Sequence, residues 1–502
     1  MKSKIITAAI GCLAFTLSGC GGGDSNTTAN TLDSDLDTII TARGLTGDPS
    51  TGRNLPDIND PLPQLGMKLF FTKALGADKD SACVSCHHPA LGGGDDLSLS
   101  IGVDAETADL LGPGRRHEFG SPGFDGGPTV PRNAPTTFNL GLWDSVLFHD
   151  GRVESLDKID GVNGAGAGGI RTPDSMFDTA DPDAGDNLAQ AQSRFPVTSP
   201  EEMRGFDFAA INTNALIRTD LENRLQGAAS TIDALVTNDW LAEFRTGFAV
   251  SAGTADALIT YGNIAKAIGE YERSQVFVDT PWKAYVEGNV SAISDVAKKG
   301  AVLFFNTVAD GGANCAACHS GDFFTDEQFH VVAMPQVGRG KGDGANNNDD
   351  FGRFRETAVA DDLYAFRTPA LINVEVTGPW NHVGSYDSLE AVVRHHLNPQ
   401  NAIDNYDYAQ IDPAIDASEM AANTQLAMNK LVANRAAGVI SPILEDVSMT
   451  DEQVNQIVEF LKALTDPCLK DRACLAQWIP TAQDSNPDAL RVNAIDFNGE
   501  NL

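Results

Sequence analysis

The residues of this chain best suited to chemistry are two CxxCH pentapeptides, Cys83-Val84-Ser85-Cys86-His87 and Cys315-Ala316-Ala317-Cys318-His319. Two thiols three positions apart on one helical turn can each form a thioether to a haem vinyl group, while the adjoining imidazole binds the iron. A zinc knuckle would need a second Cys/His pair at short spacing, and none follows either motif. The sequence therefore predicts two covalently bound haem c groups, one held by Cys83, Cys86 and His87, the other by Cys315, Cys318 and His319.

What each haem does depends on the far side of its iron. Two strong axial ligands make an electron carrier, whereas an open face admits a small oxidant. Besides His87 and His319 the chain holds His88, His117, His149, His330, His382, His395 and His396. His395 and His396 lie in a helical stretch, 389–397, and either could cap the second iron; a solvated helix face is the plain alternative. The matching stretch after Leu156 has no histidine, so the two haems are expected to differ.

The motifs sit in a duplicated frame. Gly66-Met67-Lys68-Leu69-Phe70-Phe71 precedes the first and Gly300-Ala301-Val302-Leu303-Phe304-Phe305 the second. Downstream, Arg132, Pro135, Asn139, His149, Gly151, Ser155 and Leu156 recur as Arg367, Pro369, Asn373, His382, Gly384, Ser388 and Leu389. Recurrence in fixed order marks a tandem of related units. Leu65, Leu69, Phe70 and Leu75 form an apolar helical stripe, 255–273 reads as one helix between the halves, and 453–464 reads as a last amphipathic helix. Strand signals are few. The expected fold is mainly α and loop-rich, a tandem of two c-type cytochrome domains whose haems form much of each core. The expected boundaries are 55–290, with an inserted surface loop at 157–187, and 291–465, with a second insert at 338–350; a tail, 466–502, follows.

At 502 residues and 42% apolar composition the chain can bury two or three cores. Residues 1–19 read as a signal peptide, because Lys2 and Lys4 precede an apolar run, Ile5 to Leu17, too short to span a membrane comfortably. Leu17-Ser18-Gly19-Cys20 has the pattern of a bacterial lipobox, which makes Cys20 the lipidated first residue; an ordinary signal peptide is the alternative. Gly21, where Asp would favour inner-membrane retention, points to the outer membrane and a periplasmic setting. Residues 20–54, rich in Gly, Thr, Asn and Asp, read as a flexible tether. Among the eight cysteines only Cys468 and Cys474 remain without a role, and export makes them a local disulfide, with two free thiols the alternative. The formal charge of −34 becomes −36 without Lys2 and Lys4. Such a field repels nucleic acid and anionic headgroups, so contact with a membrane is expected only through the lipid, and it would steer a cationic redox partner.

Gly92-Gly93-Gly94-Asp95, Arg132-Asn133-Ala134-Pro135-Thr136, Asp150-Gly151-Arg152, Glu202-Met203 and Phe366-Arg367-Thr368-Pro369, set around two CxxCH motifs, resemble the bacterial dihaem cytochrome c peroxidases. Their wider superfamily includes the methylamine-utilisation dihaem enzyme, which oxidises a partner protein. The similarity spans about residues 60 to 465. It implies peroxide reduction at the N-terminal haem and electron entry through the C-terminal one. It also implies that Glu202 is the acid/base carboxylate and Gln192 a distal glutamine, and that Asn133, Thr377 and Pro379 give carbonyl oxygens to a calcium ion between the domains. Read alone, Glu202 is one acid among many and the calcium residues are turn residues.

Three departures qualify this. Val103 stands where members that need reductive activation carry a distal histidine, so the first iron is expected to be open unless His117 swings in from its loop. His149 replaces the relay tryptophan between the haems, leaving Trp143 or Trp380 as substitutes. At the second iron, where the family has methionine, the count from His382 lands on His396, and histidine there lowers the haem potential. The expected function is a peroxidase using hydrogen peroxide and a small cytochrome c or cupredoxin as donor. Its rivals are a dihaem oxidase acting on an organic or protein substrate, and a non-catalytic electron-transfer or sensing protein. The oligomeric state, monomer or homodimer, is open in the sequence.

Overall fold

The computed structural model describes residues 25–124, 126–208, 212–438 and 444–502. The expected signal peptide, 1–19, and Cys20 lie outside the described residues.

Two helix pairs carry the duplication into three dimensions. Helix Pro61–Phe71 crosses helix Tyr261–Arg273, and helix Asp295–Phe305 crosses helix Asp451–Lys462. The glycine that opens each repeated phrase sits at the crossing: a Cβ on Gly66 would collide with the Ala267 carbonyl, and one on Gly300 with that of Gln456. Backbone contact this close admits only hydrogen at that position. Leu69, Phe70 and Phe71 are buried in one core, Phe304 and Phe305 in the other. The 255–273 segment is two helices, Ala255–Leu258 and Tyr261–Arg273, because Thr260 caps the second by accepting from the Asn263 N–H. Helix Met420–Ala437 has no clear periodic signal.

The downstream phrases dock on each other. Asn139 and Asn373 both adopt the left-handed conformation, and both side-chain amides donate to the Phe277 carbonyl, at 3.0 and 2.9 Å. The Asn133 N–H donates to the His382 carbonyl, and the Arg367 N–H donates to that of His149. Asn133 and Arg367 each stand two residues before the repeated proline, so the structural equivalence is shifted by one from the arginine-to-arginine match.

The expected flexible tether, 20–54, is corrected by the fold over its described part. Ser25–Arg43 is a helix packed on Asp295–Phe305, and Lys298 binds Asp33 at 2.7 Å. Thr46 and Gly47 hydrogen-bond Asp322, and Arg53 pairs with Asp144. Polar composition misled here because these polar groups have specific partners. The C-terminal tail returns to the first half: Val492 N–H donates to the Phe71 carbonyl, Trp478 packs on Phe277, and Cys468 and Cys474 form a disulfide. The 157–187 insert contributes a strand, Ile170–Arg171, paired with Val153–Ser155. Among the described residues no helix is long and apolar enough to cross a membrane.

Candidate functional site

One continuous cavity runs between the repeated motifs and is lined by Cys83, Cys86, His87, Cys315, Cys318 and His319. Each CxxC segment is a 3-10 turn, Cys83–Ser85 and Cys315–Ala317, which turns both thiols of a motif towards the same space. His87 Nδ1 lies 3.1 Å from the Gly93 carbonyl, and His319 Nδ1 lies 3.1 Å from those of Phe324 and Pro369. Donating Nδ1–H to a carbonyl leaves Nε2 as the lone-pair nitrogen, the arrangement of a metal-binding histidine. Burial pushes His87 down and His319 to about 4, so both imidazoles are neutral and able to ligate.

The second motif faces another imidazole. The rings of His319 and His396 are 6.4 Å apart between centroids. Two metal–imidazole bonds of about 2 Å, plus about 1 Å from each nitrogen to its ring centre, span about 6 Å. His396 Nδ1 is 2.9 Å from the Val392 carbonyl, which leaves its Nε2 for a metal. His395 is tied at both nitrogens, to the Tyr386 hydroxyl at 2.9 Å and the Val332 carbonyl at 2.8 Å. The helix Leu389–Leu397 thus separates two adjacent histidines by face.

Around the first motif no such ring pairs with His87 among the described residues. Val103 is fully buried and its N–H donates to the Glu201 carbonyl at 3.3 Å; Ser100 lines the cavity, whereas Val103 supports the next turn and is not among the lining residues. Gly102 permits this, since a Cβ there would strike the Glu201 and Glu202 carbonyls. That next turn, Pro200–Arg204, is π-helical and capped by Ser199, whose hydroxyl accepts from the Glu202 N–H at 3.3 Å. Single π-turns recur at functional sites. Glu202 and Gln192 both line the cavity, and the Gln192 carbonyl oxygen is buried with no hydrogen-bond partner. Burial pushes the Glu202 carboxyl up, against the opposing pull of Arg152 and Lys341. Cys83 and Cys86 both feel its charge, which places it near the first motif. His117 is buried and stacks on Phe124 with centroids 5.5 Å apart; it is not among the cavity-lining residues.

Between the motifs lie Trp143, His149 and Trp380. Trp143 packs edge-on against Phe323 and under the Arg367 guanidinium, 3.6 Å from its centroid. His149 Nε2 is 3.1 Å from the Asn133 carbonyl, and burial lowers this histidine to about 3. The Asn133 amide donates to the Leu97 carbonyl at 2.9 Å. Thr377 and Pro379 line the same cavity.

Several cavity residues carry no signal in the sequence. Lys341 comes from the 338–350 insert of the second half, and burial together with Arg152 and Arg132 lowers its pKa. Glu272 lines the cavity with one carboxylate oxygen unpartnered, and burial raises it to about 8. His330 binds Asp326 at 2.8 Å beside Cys318; burial works against its protonation, but Asp326 holds it at about 10. Buried unpartnered polar atoms along a cavity that already offers four thiols and neutral imidazoles fit two covalently held haems.

The geometry therefore fits a c-type dihaem protein whose two motifs face unlike groups, His396 at the second and Glu202 with Gln192 at the first. Residues 61–291 match the family model described as di-haem cytochrome c peroxidase. The methylamine utilization protein MauG of Methylorubrum extorquens is 26% identical over 393 residues, covering 77% of this chain and 84% of that one. The cytochrome c551 peroxidase of Pseudomonas aeruginosa is 25% identical over 339 residues, covering 67% and 71%. A solved MauG-like protein associated with microbial copper homeostasis shares the fold at a TM-score of 0.53 and 19% identity, over 87% of this chain and 97% of that one. The diheme peroxidase BthA of Burkholderia thailandensis does so at 0.51 and 19%, over 88% and 92%. The chain is thus similar to di-haem cytochrome c peroxidases and to MauG, through the family model over residues 61–291 and through relatives that cover 67% and 77% of it.

Proposed function

We propose that this protein is a dihaem peroxidase that reduces hydrogen peroxide to water with electrons from a small cytochrome c or cupredoxin. The observation that carries the reading is the asymmetry of the cavity: His319 is faced by His396, whereas the first motif is faced by Glu202 and Gln192. When bound, the first haem offers peroxide an iron and the second stores an electron. His87 holds the first iron and is itself oriented by the Gly93 carbonyl; His319 and His396 hold the second. Glu202, raised by burial, keeps a proton above the usual carboxylate range and can pass it from one peroxide oxygen to the other, which O–O cleavage requires. Gln192 presents its unpartnered carbonyl oxygen to the bound oxidant or its water. The backbone carbonyls of Asn133, Thr377 and Pro379, residues that line the same cavity, are the hard donors for a calcium ion. The halves, about 55–290 and 291–465, act as the peroxidatic and the electron-transfer domain, with termini crossed between them. The leader-like segment, Cys20 and the Cys468–Cys474 disulfide support a lipid-anchored protein of an oxidising bacterial compartment.

A second reading, an oxidase acting on an organic or protein substrate, is favoured by the histidine pair at the second iron and by His149 at the relay position. The test is electron paramagnetic resonance of the oxidised protein, followed by peroxide with and without reduced donor. One high-spin and one low-spin haem, with donor oxidation matching peroxide consumed, is the expected result. Peroxide consumed without equivalent donor oxidation selects the oxidase. Two low-spin haems that do not react overturn both.

A further inference from the structure

Each downstream phrase contributes one buried arginine, and the two are neutralised very differently. Arg132 is bound by Asp150 at 2.5 Å and by Asp350 at 2.6 Å, all three buried. Arg367 has no carboxylate within ion-pair distance among the described residues, although it is only 9% exposed. The second phrase also brings no acid of its own: His149 is followed by Asp150, His382 by Val383. What Arg367 has is one 3.3 Å hydrogen bond to the Val146 carbonyl and the face of Trp143, while its Nε has no partner. The acid that most offsets its charge, Glu327, accepts backbone N–H groups of Asp144 and Ser145 at 3.1 and 2.7 Å instead. Burial lowers Arg367 to about 10, the mark of a cation the protein leaves uncompensated. A buried guanidinium without an anion is costly, and its planar fork matches a carboxylate. Arg367 lines the cavity.

We propose that Arg367 is a carboxylate-binding subsite of the cavity, completed by a propionate of a bound haem or by a small free carboxylate anion. It rests on the two-haem reading, which is checked first and separately by counting covalent haems per chain in the purified protein. Wild type, Arg367→Gln and Arg367→Lys are then compared by resonance Raman spectroscopy, redox titration and titration with acetate. If the carboxylate is a propionate, the propionate-bending bands shift in Arg367→Gln and one haem midpoint falls, with partial recovery in Arg367→Lys. If it is a free anion, acetate perturbs the wild-type Soret band saturably, and the affinity drops at least tenfold in Arg367→Gln. Should Arg367→Gln fail to fold, Arg367→Lys, which keeps the charge but loses the fork, and the acetate titration of wild type decide. Full haem content with unchanged propionate bands and no saturable acetate effect overturns the proposal and leaves Glu327 as the balancing charge.

Discussion

The two halves of the molecule share a scaffold and differ in what it presents. Both put a helix ending in Phe-Phe against a partner helix through a glycine, and both set an asparagine in the left-handed conformation to reach the Phe277 carbonyl. After that frame they diverge. In the second half the helix Leu389–Leu397 turns His396 towards His319. In the first half a π-turn brings Glu202 to the cavity instead. A duplicated fold has thus kept the devices that position a cofactor and changed the group that meets its open side. On the proposed function, the difference separates storing an electron from handling a proton.

The sharpest way to break this comparison is at Glu202. Glu202→Gln keeps the shape but removes the proton shuttle, and peroxide turnover should fall about 10²–10⁴-fold with both haem spectra unchanged. An unaltered rate would move the acid/base role elsewhere. The shared scaffold is tested by Gly66→Ala and Gly300→Ala, each forcing a methyl into a carbonyl. Both should destabilise by roughly 1–3 kcal/mol or more in chemical denaturation, and by similar amounts if the crossings are equivalent. Asp350→Asn tests the lock between halves. Burial alone would raise Asp150 and Asp350, but Arg132 outweighs it and holds both far below the carboxylate range. A depressed carboxylate stabilises above its unfolded pKa, and that stability is lost as pH falls towards its folded value. The variant should therefore lose several kcal/mol near neutrality, about 3–5 by analogy with broken buried pairs, and less in acid.

The ligand asymmetry itself is sharpened by His396→Met. It should leave the second haem low-spin, raise its midpoint in a redox titration and leave the first haem's spectrum unmoved. The smallest effect is expected at Glu272, raised by burial to about 8. A carboxyl with a raised folded pKa holds its proton more tightly when folded, so its stabilising share is present below the unfolded pKa and is lost as pH climbs to about 8. Glu272→Gln should match wild type near pH 4 and flatten the decline of melting temperature between there and pH 8.

The haem-attachment motifs, the duplication and the mainly helical class were legible because each depends on local spacing: CxxCH on one turn, glycine before a Phe-Phe helix end, histidine and serine at a repeated interval. His396 was legible as one of a pair, and only the helix orientation, which ties His395 to Tyr386 and Val332, separates it from its neighbour. The tether was misread because Asp33 and Arg53 are polar for partners 265 and 91 residues away, and composition cannot report a partner. Arg367 looked like a repeat of Arg132 until their surroundings could be compared. By itself, then, the sequence determined what the chain can bind covalently and how often, since bonds to haem need only neighbouring residues. Which motif faces a second imidazole, which carboxyls are buried and which cation lacks an anion were decided by the tertiary structure, because burial and charge balance arise only when distant segments meet.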